Sequence, residues 1–389
     1  MDFAETKDRL GGAKVFAAAL AVRLAFLGFF LHQQLDRVFL RDVYYSAAMG
    51  WLGYGPKLEM DATHPPLYSI AIAAVSGFLR TPNPLPVLLL QAFLSAWTCL
   101  LLWRLAERLR IPGAGRWAAL WAAVDPALVF YAPQLQTETL FAVLELGFFL
   151  SLYEAVDGGS PFVAGLLGSL ASLCRSVFAA YPVFLIPALL PLLDKKKAPR
   201  WAALLALGWA LPIMGWTARN YVRYRAVIPI SAQMGWTLWE GFSLDREEVR
   251  RRPTEMDEEA RRAGANTAVE RSNYFKAKTL RFIRENPLEA ARIVVGKAFL
   301  YWRPWPYDPY TPIQRLGLGA YYIFLFALAG VGAWSLRGMG RRWLPVGALF
   351  LYLTASHAVF FTSLRYRLPL EPFLCLLGAR GLRKLRRTL

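Results

Sequence analysis

Apolar residues in this chain collect in long unbroken runs, and the polar breaks between the runs are mostly basic. Runs at 15–35, 86–103, 117–131, 138–152, 162–173, 177–193, 201–217, 316–336, 343–361 and 368–379 are nearly free of charge. Such runs predict helices in a hydrocarbon core, where each backbone N–H and C=O must find its partner inside its own segment. The expected architecture is an all-α polytopic membrane protein with about ten transmembrane helices and further helices lying against the outer face. The first run follows Lys7, Arg9 and Lys14 and lacks a small-residue cleavage site, so it is expected to be an uncleaved signal-anchor span.

Cation placement sets the expected orientation. With the N-terminus inside, the inner segments 1–14, 104–116, 153–160, 194–200, 337–342 and 380–389 carry 3, 4, 0, 4, 3 and 5 Lys plus Arg. The outer turns 131–137, 174–176 and 362–368 carry 0, 1 and 2. Segment 153–160, with acids and no bases, departs from the pattern. If the apolar stretch 64–79 spanned the membrane, it would put Lys195, Lys196 and Lys197 outside; it is therefore expected to lie at the outer interface or be partly re-entrant, its prolines in the first turn, where a missing N–H costs little. The chain then divides into an N-terminal transmembrane module (1–217, with the first outer loop 36–85), an outer helical region (218–313) and C-terminal transmembrane helices (314–389). In the outer region, the charged stretch 245–262 predicts a surface helix. Asn286, Pro287 and Glu289 supply the cap, first-position and third-position chemistry of a helix running to Trp302.

Composition changes the picture in one respect. A net charge of +18 would suggest nucleic acid in a soluble chain, but in one that is 56% hydrophobic with mean hydropathy +0.32 the cations flank apolar runs. Anionic lipid headgroups and the positive-inside bias account for them, so membrane lipids are expected partners and nucleic acid is not. Cys99, Cys174 and Cys375 sit in apolar stretches without ligand spacing and are expected as buried apolar residues.

In this topology Asp42, His64, Glu138, Arg175, Arg219, Arg365 and Arg367 all reach the outer face. Carboxylates there are expected to supply a general base and a positioning or metal-binding group, and guanidiniums to hold a phosphate bidentately. Asp42, just past the first span in Arg41-Asp42-Val43-Tyr44-Tyr45, is the preferred base; a helix cap or a partner for Arg41 is the plain alternative. Glu138 equally suits a helix N-terminus capped by Thr137. Arg175 lies in the bend of an apolar hairpin, where an ionisable group points to function or to a structural ion pair. His64, which opens His64-Pro65-Pro66-Leu67-Tyr68, has no His or Cys at ligand spacing and is read as a hydrogen-bonding residue. Arg219, Arg365 and Arg367 suit interface anchoring as well as phosphate contact. Arg23 and Asp125, both near mid-span, are expected to pair structurally.

These residues, in order, resemble a known family. Asp42, His64-Pro65-Pro66-Leu67-Tyr68, Thr137-Glu138-Thr139-Leu140-Phe141, 165–175, Trp216 to Tyr221 and Arg365-Tyr366-Arg367-Leu368-Pro369 are similar to the bacterial branch of the protein O-mannosyltransferase and aminoarabinose transferase superfamily, membrane enzymes of the C-type glycosyltransferase fold. The resemblance implies inverting transfer of a sugar from a polyprenyl-phosphate-linked donor to a lipid, glycan or protein acceptor, at the outer face of the inner membrane. It implies catalytic roles for Asp42 and Glu138 and donor contacts from Arg175, with His64, Tyr68, Arg219, Arg365 and Arg367 as further binding residues. This chain departs from better-known members in its single first-loop acid, a Glu at the second acidic place, and no large added outer domain. This reading assigns no definite cofactor; a divalent metal is left open, with no metal ligand assigned. A flippase or transporter for a lipid-linked sugar is the competing class, but paired halves with broken helices at matching positions are not found in the sequence. A non-catalytic scaffold would leave the Arg175 hairpin unexplained.

Overall fold

The structure, a computed structural model, describes residues 3–38, 43–55, 63–111, 113–242, 253–306, 311–337 and 340–388. Asp42 therefore lies outside the described residues. The described elements are helical: α1 (Phe3–Val38), α2 (Val43–Trp51), α3 (Leu67–Leu79), α4 (Leu85–Arg108), α5 (Gly115–Val124), α6 (Pro126–Tyr131), α7 (Glu138–Val156), α8 (Pro161–Cys174), α9 (Pro182–Leu189), α10 (Ala198–Tyr224), α11 (Met234–Phe242), α12 (Pro253–Arg262), α13 (Ala268–Glu285), α14 (Pro287–Tyr301), α15 (Pro312–Ser335), α16 (Leu344–Val359) and α17 (Glu371–Thr388). Short 3-10 turns at Ser176–Ala180 and Leu364–Leu370 lie between α8 and α9 and between α16 and α17.

Among the described residues, α1, α4, α7, α10 and α15 are long and apolar enough to cross a membrane. The other expected spans coincide with shorter or interrupted helices: 117–131 with α5 and α6, 162–173 with α8, 177–193 with α9 and its flanking turns, 343–361 with α16, and 368–379 with the first part of α17. Large apolar side chains lie uncovered on α10 (Leu207, Leu211, Met214) and on α15 (Ile313, Leu316, Ile323), the surface expected of helices bathed in lipid. The stretch 64–79 forms α3, a 13-residue helix, too short to cross alone. Close helix packing uses small residues: a side chain at Gly165 would strike the Leu205 carbonyl of α10, and one at Gly208 the Phe162 carbonyl of α8.

The two ends of the bundle differ in charge. At the end holding the C-termini of α4 and α7, Arg108 bridges Glu154 at 3.1 Å, and Arg342 pairs with Asp157 while donating to the Arg108 carbonyl at 2.9 Å. Segment 153–160, which lacks bases of its own, thus sits with the basic segments, and its acids are neutralised by their arginines.

Arg23 and Asp125 do not form the ion pair expected from the sequence. Pro126 biases Asp125 out of the helical region, and Asp125 sits at φ −59, ψ 124, which breaks the helix and frees the carbonyls of the turn before it. Arg23, fully buried on α1, donates to the Ala122 carbonyl at 2.9 Å, to the Ala123 carbonyl, and to Ser95 Oγ at 3.1 Å. Asp125 caps the new helix start, accepting from the Leu128 N–H at 2.9 Å and from the Tyr321 hydroxyl. The two charges therefore serve opposite sides of one break. The three cysteines are buried and free, as the sequence implied.

The segment between α10 and α15 has a small core of its own, in which Met256, Ala260, Ala265 and Phe275 pack with Trp236 and Trp239. The capping box of Thr267 and Glu270 starts α13. As the sequence suggested, α14 opens at Pro287, although Asn286 makes no side-chain cap bond there. Of the charged stretch 245–262, the described part forms α12, and 243–252 lie outside the described residues.

Candidate active site

The end of the bundle opposite the Arg108 and Arg342 pairs gathers three of the candidate residues. Glu138 opens α7, and it reaches this end because the loop before it is pinned: Gln91 on α4 donates to the carbonyls of Ala132 at 2.9 Å and Gln134 at 2.7 Å. Thr137 precedes Glu138 but makes no side-chain cap bond. Arg175 directly follows α8, in extended conformation at φ −139, ψ 108, and this turns its side chain off the helix axis before the 3-10 turn begins. Arg365 enters on the turn after α16, which Ser363 starts by accepting from the Arg365 N–H at 3.4 Å.

These three side chains meet. Arg175 Nη1 lies 3.4 Å from Glu138 Oε1, and Arg365 holds both carboxylate oxygens, through Nε to Oε1 and through Nη2 to Oε2 at 3.3 Å. Glu138 and Arg175 are buried, whereas the Arg365 side chain keeps 30% of its exposure. Burial works against the Arg365 charge, but the Glu138 carboxylate outweighs it and holds the guanidinium above its usual range. Two cations on one carboxylate leave the group with net positive charge, and each fork retains N–H donors that Glu138 does not use. Such a site attracts an anion.

Aromatic rings fix the arginines from behind. The Arg175 guanidinium lies 5.5 Å from the Phe141 ring and 5.6 Å from that of Tyr366. Tyr366 stacks on His357 at 4.9 Å, and His357 stacks on Tyr301 at 5.4 Å. On the other side, Tyr44 packs edge-on against His64 and Tyr68, each at 5.5 Å. Burial raises the Tyr44 hydroxyl above its usual range and the neighbouring Arg365 charge draws it back, so Tyr44 of α2 lies within electrostatic reach of the arginines. Thr63 Oγ1 lies 2.8 Å from His64 Nδ1, and the Tyr68 hydroxyl donates to Gln91, the residue that pins the loop before Glu138.

Two of the candidate arginines stand apart from this cluster. Arg367 is fully buried, pairs with Glu371 at 3.3 Å and donates to the carbonyls of Tyr301 at 3.4 Å and Arg303 at 3.0 Å, tying α14 to the start of α17. Arg219 bonds Asn220 at 2.9 Å and lies over the Trp216 ring at 4.7 Å.

The sequence reading missed Tyr44, Tyr366, His357 and Glu145. Glu145 is fully buried two turns along α7 from Glu138, and among the described residues neither carboxylate oxygen has a hydrogen-bond partner. The signal for it was available: a charge inside the apolar run 138–152. Among the described residues no three His, Cys, Asp or Glu side chains cluster to hold a metal, and Glu138 is already compensated by two guanidiniums. Glu138, held by both guanidiniums, offers no free carboxylate to a divalent cation.

Residues 63–216 match the family model of dolichyl-phosphate-mannose-protein mannosyltransferase. Comparison with the curated proteins gives no match. Among solved structures, the chain is similar to the archaeal oligosaccharyltransferase AglB from Archaeoglobus fulgidus in complex with an inhibitory peptide and a dolichol-phosphate, with a TM-score of 0.58 at 13% identity over 97% of this chain. It is also similar to the Archaeoglobus fulgidus oligosaccharyltransferase tethered to an acceptor peptide containing the NVT sequon, with a TM-score of 0.57 at 13% identity over 97% of this chain. The same organism's enzyme in complex with Zn and sulfate gives 0.57 at 12% identity over 96%. The chain spans about half the length of these structures, at 50%, 50% and 49% of each. The likeness is one of fold: the expected all-helical class holds, while five of the ten expected spans are matched by single helices long and apolar enough to cross a membrane among the described residues.

Proposed function

We propose that this chain transfers a sugar from a polyprenyl-phosphate-linked donor to an acceptor hydroxyl, with inversion at the anomeric carbon. The observation that carries the reading is the convergence of Arg175 and Arg365 on the buried Glu138, at the end of the bundle away from the basic loops. By the positive-inside bias that end faces outward, so the reaction belongs to the outer face of the inner membrane.

In this reading Arg175 and Arg365 grip the donor phosphate with the N–H groups that Glu138 leaves unused, and Glu138 acts as a positioning residue that keeps both forks in place. Asp42 accepts the proton of the acceptor hydroxyl as its oxygen attacks the anomeric carbon. The bond from that carbon to the phosphate oxygen breaks, and the polyprenyl phosphate leaves as an anion stabilised by the arginines. Such a leaving group needs no proton donor, so the arginines alone suffice to receive it. His64 and Tyr68 pack against Tyr44, two residues along the chain from Asp42, and shape the wall of the site there. Arg219 and Arg367 act at a distance, one anchoring α10 and the other bracing α17. The acceptor class is a lipid, glycan or protein bearing a hydroxyl, and the resemblance to structures holding peptide and dolichol-phosphate supports a lipid-linked donor.

Incubation of the purified protein in vesicles with a radiolabelled polyprenyl-phosphate sugar tests the reading. Label recovered on an acceptor or as free sugar is the expected outcome; label that crosses the bilayer still attached to its carrier points to a flippase. Asp42→Asn is expected to cut turnover by at least about a hundredfold.

A further inference from the structure

Away from this site, α15 and α16 stand apart over part of their length and leave a groove of ≈ 590 Å³, floored by Leu374 and Leu377 of α17. Gly330 and Ala333 of α15 face Gly347 and Phe350 of α16 across it. A Cβ built at Gly330 or at Gly347 would meet nothing within 4 Å, so these glycines serve no close backbone approach and keep the groove open. The groove is apolar along its length and becomes cationic at one end, where Arg337 lines it with its guanidinium 3.6 Å from the Trp334 ring. Arg341, exposed, follows at the start of α16. This is the end that holds the Arg108 and Arg342 pairs, but there each arginine has its carboxylate, whereas neither Arg337 nor Arg341 joins an ion pair among the described residues.

We propose that the groove binds an anionic phospholipid of the leaflet opposite the proposed active site, with one acyl chain between α15 and α16 and the phosphate at Arg337 and Arg341. The volume suits a single chain, and a basic pocket between transmembrane helices at the inner side is the recurrent setting for anionic headgroups. Charge complementarity selects this occupant over the tail of the lipid-linked donor, whose phosphate belongs at the far end with Arg175 and Arg365 and which would leave Arg337 and Arg341 unanswered. Such a lipid fills a gap between helices that do not touch there, and so fixes α15 against α16.

The test is native mass spectrometry of the full chain, stripped of lipid in neutral detergent and offered phosphatidylglycerol or phosphatidylcholine. Phosphatidylglycerol is expected to be retained over phosphatidylcholine by on the order of tenfold, as near-surface cations each contribute roughly fivefold. The double variant Arg337→Gln, Arg341→Gln, altered at exposed side chains, is expected to lose that preference while keeping its helical circular dichroism. Gly330→Phe, which fills the groove, is expected to lose both lipids. Equal retention of the two lipids by the native chain overturns the proposal. So does an unchanged preference in the double variant, or displacement of phosphatidylglycerol by an equal amount of polyprenyl phosphate. Should Gly330→Phe fail to fold, the double variant decides alone.

Discussion

Glu138 is buried with both of its oxygens engaged by guanidiniums, so protonating it or removing it strands two cations in a poorly solvated place. Loss of one partner of a buried pair costs about 3–5 kcal/mol, and Glu138→Gln is expected to lower the melting temperature accordingly. On the proposed positioning role, donor KM should rise more in this variant than kcat falls, and Glu138→Asp should recover part of the loss. A pure kcat defect with unchanged KM would make it a catalytic group instead. Lys297 gives a second prediction at this scale. Its ammonium is buried at 7% exposure and donates to the Val359 and Phe360 carbonyls at 2.7 and 3.0 Å, at the end of α16. Burial lowers its pKa from 10.5 to about 7. Between those values the unfolded chain holds more protons than the folded one, so the contribution of this group to stability grows as pH rises through the window and is least below it. Thermal unfolding should therefore rise in temperature from neutral to mildly alkaline pH, and Lys297→Met should flatten the rise; an equal rise in the variant would contradict the assignment.

At the scale of elements, the break between α5 and α6 is the clearest case of sequence written into local structure. The sequence reading took 117–131 as one span and did not expect the break at Pro126, but Arg23 and Asp125 stood out as charges in apolar runs, so the place of the feature was legible. Its chemistry was not, because the partners of Arg23 are backbone carbonyls that exist as acceptors only once the helix has broken. Arg23→Met leaves those carbonyls unpaired and is expected to destabilise the protein by about 1–3 kcal/mol for each buried group orphaned, read as a fall in melting temperature. An unchanged melting temperature would mean that water replaces the guanidinium there. The same limit applied to segment 153–160, whose acids violated a counting rule until Arg108 and Arg342 arrived from other segments to answer them. The bend at Arg175 was legible from a lone cation in an apolar hairpin, but its ring contacts with Phe141 and Tyr366 depend on long-range packing.

At the scale of the whole molecule, charge is sorted along the bundle. One end pairs its arginines with the acids of 153–160, and the other concentrates two arginines on a single buried carboxylate. The apolar runs made the helical class plain, and the ordered motifs held Glu138, Arg175 and Arg365, which the fold brings together. The split of the arginines into a cluster of Arg175 and Arg365 and two outliers was beyond their reach, since Arg365 and Arg367 stand two residues apart in one 3-10 turn and take different carboxylates, Glu138 and Glu371. The central claim, that this cluster grips the phosphate of a lipid-linked donor while Asp42 performs the proton transfer, separates binding from turnover. Equilibrium binding of a polyprenyl-phosphate sugar to the reconstituted protein and two variants tests it most directly. The account predicts that Asp42→Asn binds the donor as tightly as the native chain, whereas Arg175→Ala weakens binding by about 10–100-fold, as expected for a charge-assisted phosphate contact. Native affinity in Arg175→Ala, or a loss in Asp42→Asn as large as that expected for the arginine variant, would contradict it.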